Sequence, residues 1–172
     1  MGFSAQCYTS KISTGKISTF HYYCGHQFKV YKMKFVSSNS NFKQLDENDT
    51  FLLGHLFEMI YLINKKRKKQ FCLGGFYGDP SCGIISSNSK WCIVGGSLIV
   101  VWKETGSITI IDERPLNWVH DLRETGPFEA EMLIDPWADQ AAIWHLNIDT
   151  LDRHKLKQLE PLTDGNHDDV EW

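Results

Sequence analysis

The stretch Trp91-Cys-Ile-Val-Gly-Gly-Ser-Leu-Ile-Val-Val-Trp102 decides the fold class. Residues 91–94 and 98–102 are strand formers on either side of Gly95-Gly96, a dipeptide that readily takes the positive φ of a tight hairpin turn. Downstream, Glu104-Thr-Gly106 turns the chain into Ser107-Ile-Thr-Ile-Ile111. This spacing predicts a three-stranded antiparallel meander. Upstream, Phe71-Cys-Leu73 and Gly83-Ile-Ile85 read as two more strands around the turn signal Gly78-Asp-Pro80. The order aromatic–Cys–aliphatic followed by Gly-Gly occurs at 71–75 and again at 91–96. Two copies fall short of the three that a repeat architecture needs.

On both sides of this sheet the pattern predicts helices. Leu52, His55, Leu56, Met59, Ile60 and Ile63 fall at helical spacing. Asp49 or Thr50 would cap the N-terminus, and Lys65-Lys-Arg-Lys-Lys69 suits a helix C-terminus. Leu53, Phe57, Tyr61 and Leu62 make the other face apolar, so such a helix would be largely buried; a pair of strands is the competing assignment. Pro115 opens a short helical stretch to Arg123, and 129–134 reads as a strand. Pro136 begins a further helical stretch with Trp137, Ala141, Ala142 and Trp144, and Asp149-Thr150 caps a last helix over 151–159.

The expected architecture is a single α+β domain over residues 30–162. An antiparallel sheet around 71–112 is packed by helices at about 50–64 and 137–160. Residues 32–36 read as a strand ended by the Ser/Asn cluster at 37–41. Residues 1–29, with their echo Lys11-Ile-Ser-Thr and Lys16-Ile-Ser-Thr, form an arm or a hairpin, and 163–172 an acidic tail.

Charge is sorted along the chain. Residues 1–103 carry 13 Lys/Arg against 5 Asp/Glu, a net +8, and residues 104–172 carry 5 against 16, a net −11. Such asymmetry points to a charged partner. An aromatic content of 13% argues for a packed core and against disorder. No run approaches the roughly 18 apolar residues of a membrane span. The first residues lack the basic and apolar segments of a signal peptide. Five cysteines without a CxxC pair suggest a reduced, cytoplasmic protein.

Motifs exclude more chemistry than they support. No close Cys/His pair has zinc spacing, so neither a metal nor another cofactor is expected. Gly74-Gly75 and Gly95-Gly96 match neither phosphate-binding pattern and read as hairpin turns. Cys24-Gly-His26, with His120 or His145 as a further base, would serve a small cysteine-dependent hydrolase, which is the enzymatic alternative. An adaptor domain with no charged ligand is another. The basic run at 65–69 could touch nucleic acid or an acidic membrane. Read as a helix C-terminus in a chain of pI ≈ 6.1, it requires neither partner. The acidic segment is different, because its carboxylates alternate with tryptophans. Charge steers encounter and aromatic side chains supply contact energy, so acids beside tryptophans suit a basic protein partner. The expected contact patch is Asp121, Glu124, Glu129, Glu131, Asp135, Trp137 and Asp139, with no catalytic residue.

The segment from Gly78 to Trp102 runs strand, turn, Gly-Gly, strand. It resembles the aromatic-rich β cores of small cytosolic immunity proteins from bacterial toxin–immunity systems, including contact-dependent inhibition and other polymorphic toxins. It is also similar to a single propeller blade, although a propeller needs several blades and the chain shows no matching repetition. The immunity resemblance implies a non-enzymatic inhibitor. Such a protein would neutralise a cognate basic, nuclease-type toxin domain by covering its active site with an acidic, aromatic surface. No functional residue carries over, because immunity families share no common site.

Overall fold

A computed structural model describes residues 35–162 and Trp172. The expected arm and most of the tail lie outside the described residues, as does most of the strand expected at 32–36; Val36–Ser38 is a 3-10 turn. Among the described residues twelve strands follow, in three four-stranded antiparallel meanders. The first sheet holds β1 (Phe42–Glu47), β2 (Phe51–Leu56), β3 (Met59–Asn64) and β4 (Lys69–Gly75). The second holds β5 (Cys82–Ile85), β6 (Trp91–Gly95), β7 (Ile99–Lys103) and β8 (Ile108–Ile111). The third holds β9 (Val119–Gly126), β10 (Glu129–Ile134), β11 (Ala142–Asn147) and β12 (Arg153–Gln158).

The α+β expectation is therefore overturned: among the described residues there is no α-helix. The segment expected as a helix at 50–64 is the β2–β3 hairpin, which pairs Leu53 with Leu62 and His55 with Ile60. Its apolar residues lie on both faces, so they satisfy helical spacing by count while alternating in fact. Gly54 allows the close approach of β1, since a Cβ there would sit 2.4 Å from both the Lys43 carbonyl oxygen and the Phe42 ring of that strand. The basic run is accordingly not a helix end but the tip of the β3–β4 hairpin, where the Asn64 side chain accepts a hydrogen bond from the Arg67 N–H at 2.7 Å. The helices expected over 137–160 are β11 and β12. Asp149 and Thr150 sit in the turn between them, their N–H groups both donating to Asn147 Oδ1 at 3.0 Å. Side-chain-to-backbone bonds of this kind cap helices and build turns alike. Pro115 opens only the 3-10 turn Arg114–Leu116 before β9 begins.

The meander β6–β7–β8 forms with β5 beside it. β4, however, closes the first sheet, so Gly78-Asp-Pro80 lies in a crossing between sheets. The two aromatic–Cys–aliphatic segments hold different places, the fourth strand of one sheet and the second of the next. The true repeat is the meander itself, present three times among the described residues. The first strands adjoin, β1 beside β5 and β5 beside β9, so the sheets stack like neighbouring propeller blades.

Stacking explains the central apolar runs. Cys92, Val94, Val100 and Trp102 face the first sheet, packing with Phe51, Leu53, Ile60, Leu62 and Leu73. Trp91, Ile93, Ile99 and Val101 face the third, with Val119, Leu122, Met132, Ile134 and Leu146. A strand buried on both faces reads as a continuous hydrophobic run. Gly95-Gly96 serve packing rather than a positive φ: a Cβ on Gly95 would meet Val119 Cγ1 at 2.6 Å, and one on Gly96 would meet the Phe76 ring at 2.9 Å.

Candidate functional site

Alternation in the meanders sorts the loops between two ends. One end holds the turn at 57–58, the crossings 76–81 and 112–118, and the turns 96–98 and 135–141. Backbone bonds tie them in a row: Phe76 N–H to Glu58 O (2.9 Å), Val119 N–H to Gly96 O (2.9 Å), Asp135 N–H to Trp118 O (3.0 Å) and Leu162 N–H to Pro136 O (2.9 Å). Tyr77 N–H also donates to Ser97 Oγ at 3.2 Å.

This crossing end is aromatic and acidic. Phe57 is 63% exposed, Tyr77 84% and Trp118 55%. Phe57 and Trp118 hold φ values of 52° and 65°, and Asp135 holds 29°. Left-handed backbone is strained for bulky residues, and strain of this kind concentrates at ligand clamps. Trp137 is half-buried, with the His120 ring against it edge-on at 4.6 Å between centroids. Glu58, Asp79, Asp112, Glu113, Asp135, Asp139 and Glu160 lie in these loops and in the segment after β12, together with Arg114. Lys43 of β1 reaches Asp79 at 2.7 Å and holds its carboxyl below the usual range through that hydrogen bond. Arg153 pairs with Glu113.

The patch expected from sequence is divided by the fold. Asp135, Trp137 and Asp139 share the crossing end. Asp121 and Glu131 lie on the face of the third sheet turned away from the second, in neighbouring rows. Glu131 is paired with Arg123 through Nε at 2.8 Å. Asp121 accepts from the Trp172 indole at 3.0 Å, and the Arg123 guanidinium lies 4.3 Å from that ring's centroid. Glu124 turns towards the second sheet and accepts from Ser87 N–H and Oγ, at 2.8 and 3.0 Å. Glu129 sits at the opposite end, beside Gly126. Sequence reading missed Phe57 and Tyr77 as members of the surface; it counts Trp118 among the tryptophans of the acidic segment but does not place it in the contact patch. The only signal was that large aromatics at 57 and 77 stand beside acids at 58 and 79.

Reactive-thiol chemistry gains little from the described cysteines. Burial raises the Cys82 and Cys92 thiols well above their ordinary range. Cys24 and His26 lie outside the described residues. No group of three or more His, Cys, Asp or Glu among the described residues is placed to hold a metal ion. A hollow of about 110 Å³ at the other end, between Lys90, Lys103, Phe128 and Asp149, is smaller than a typical ligand pocket. No described helix is long and apolar enough to cross a membrane. The chain matches no protein-family model, and a search of curated proteins returns no significant match.

Proposed function

We propose that the protein is a non-enzymatic binding protein whose crossing end docks on a basic protein surface. On this reading it acts as an immunity-type inhibitor, covering the active site of a cognate nuclease-type toxin. The observation that carries it is the coincidence, at one end, of exposed Phe57, Tyr77 and Trp118 with seven carboxylates, two of them engaged by Lys43 and Arg153 and five without an ion pair among the described residues. Aromatic anchors supply burial at an interface, and a single-sign surface steers an oppositely charged partner. The contact set is Phe57, Tyr77, Trp118, Asp135, Trp137 and Asp139.

The test is protection of a basic nuclease domain encoded beside this chain. Purified protein should suppress its nuclease activity and bind it with an affinity that falls as salt rises. Trp118→Ala and Tyr77→Ala should each weaken binding by tenfold or more. Asp152→Asn, at the other end, should leave it unchanged. Equal loss from both ends, or no binding to any such domain, would sink the reading.

A further inference from the structure

The outer strand of each sheet is an edge: β4, β8 and β12 each pair with one neighbour among the described residues. None of the three contains an acid. β12 carries Arg153, Lys155 and Lys157, and β4 carries Lys69. Charges of this kind are the usual guard against edge-to-edge pairing. β8, Ile108-Thr-Ile-Ile111, has no charge, no proline and no bulge in its pairing with β7. Ile108 and Ile110 are 44% and 55% exposed.

Register shows what this edge offers. Lys103 N–H donates to Ser107 O at 3.0 Å, which makes 103–107 a hydrogen-bonded pair. Alternation then makes Trp102–Ile108 and Val100–Ile110 non-hydrogen-bonded pairs, so the N–H and C=O of Ile108 and Ile110 point away from β7. Their side chains lie on the face shared with Trp102 and Val100, turned to the first sheet. There Phe71 stands 6.5 Å from Trp102, centroid to centroid, and completes an apolar shelf. On the other face the third sheet presents Arg153 and Lys155, opposite Leu146 and Trp144; Lys155 lies over the Trp144 ring and its ammonium, with one neutral partner in Gln158 Oε1 at 2.7 Å, has no carboxylate partner among the described residues. Glu113, just past β8, is taken up by Arg153, while Glu104 and Asp112 mark the two ends of the strand.

We propose that β8 is a docking edge for an extended protein segment of alternating aliphatic and acidic residues, which joins the second sheet as a fifth strand. Its backbone meets the outward groups of Ile108 and Ile110, its aliphatic side chains cover Phe71 and the two isoleucines, and its acids face Lys155. Strand addition of this kind draws affinity from main-chain bonds and specificity from alternate side chains. Other occupants fit less well. Hydrocarbon leaves the open edge unsatisfied, which sheet edges in lipid do not tolerate. Nucleic acid gains nothing from the isoleucines. A second copy brings another rim whose outer strands hold bases and no acids. This surface is separate from the crossing end and does not depend on the reading given to it.

The probe is a fluorescein-labelled decapeptide alternating Val and Glu, with a Val/Lys peptide as control, followed by anisotropy on the full chain. The Val/Glu peptide should bind saturably and the Val/Lys peptide should not. Ile110→Pro removes an outward N–H without breaking a ladder bond and should weaken binding at least tenfold. Ile110→Glu should do the same while keeping the backbone donor, and Lys155→Glu should weaken it severalfold. Asp135→Asn should have no effect. Equal binding of both peptides, no binding of either, or unchanged affinity in a folded Ile110→Glu protein would overturn the proposal. So would sedimentation showing that β8 closes a dimer of this chain instead.

Discussion

Ser86 shows how much one hydroxyl can hold in a stack of short strands. It is fully buried at the β5–β6 turn, where Oγ accepts from Lys90 N–H at 3.0 Å and from Trp91 N–H at 3.1 Å. Lys90 N–H has a second acceptor in Asn88 Oδ1, but Ser86 Oγ is the side-chain acceptor for the buried Trp91 N–H. Ser86→Ala leaves that donor unpaired and should cost about 1–3 kcal/mol in urea unfolding. Trp91 is fully buried and donates through Nε1 to Pro127 O at 2.8 Å, anchoring the third sheet's first turn to the second sheet. Trp91→Ala should cost about 3–5 kcal/mol in the same measurement. The thiols respond to the same burial. Alkylation of the native protein at pH 8 should leave Cys82 and Cys92 unmodified, whereas exposed Cys72 reacts.

At the scale of elements, the β2–β3 turn explains why the segment around it reads as a helix, and it carries a residue of the proposed contact set. Phe57-Glu58 holds no Gly, Asn or Pro, the residues that ordinarily announce such a turn. Phe57 nevertheless adopts φ 52° and leaves 63% of its surface in solvent. Phe57→Gly should relieve the left-handed strain and raise stability by about 1 kcal/mol, while weakening partner binding at the crossing end. Thermal unfolding and the affinity for the basic nuclease domain check the two halves separately; a stabilised variant with undiminished affinity would remove Phe57 from the contact set. A turn without turn residues also made one helix the leading reading of 50–64 and left the pair of strands, the correct assignment, as its competitor. The meander around 91–111 was legible because Gly-Gly and Thr-Gly punctuate it and its strands are apolar on both faces. The tryptophan-bearing stretch from Pro136 was not, because proline and Asp-Thr signal helix starts and turns with the same chemistry. The acidic patch was half legible: composition marks its acids, but only strand register reveals that Glu124 and Glu131 already have partners.

For the whole molecule, the linear charge split becomes a polarity between ends. A six-residue strand spans about 20 Å, more than two Debye lengths at physiological salt. The Lys65–Lys69 tip therefore contributes little field at the carboxylates of the crossing end. Stability is organised the opposite way. The second sheet supplies one wall of both cores, so neither outer sheet has a hydrophobic core of its own among the described residues. Stacked units that depend on a shared neighbour unfold together when the coupling exceeds each unit's own stability. Leu62→Ala on the first sheet and Met132→Ala on the third remove fully buried side chains from different cores. Each should cost about 2–5 kcal/mol, and each should shift the urea curves followed by circular dichroism and by tryptophan fluorescence to the same midpoint. If Leu62→Ala displaced one curve and left the other in place, the first sheet would be an independent unit resting on the other two.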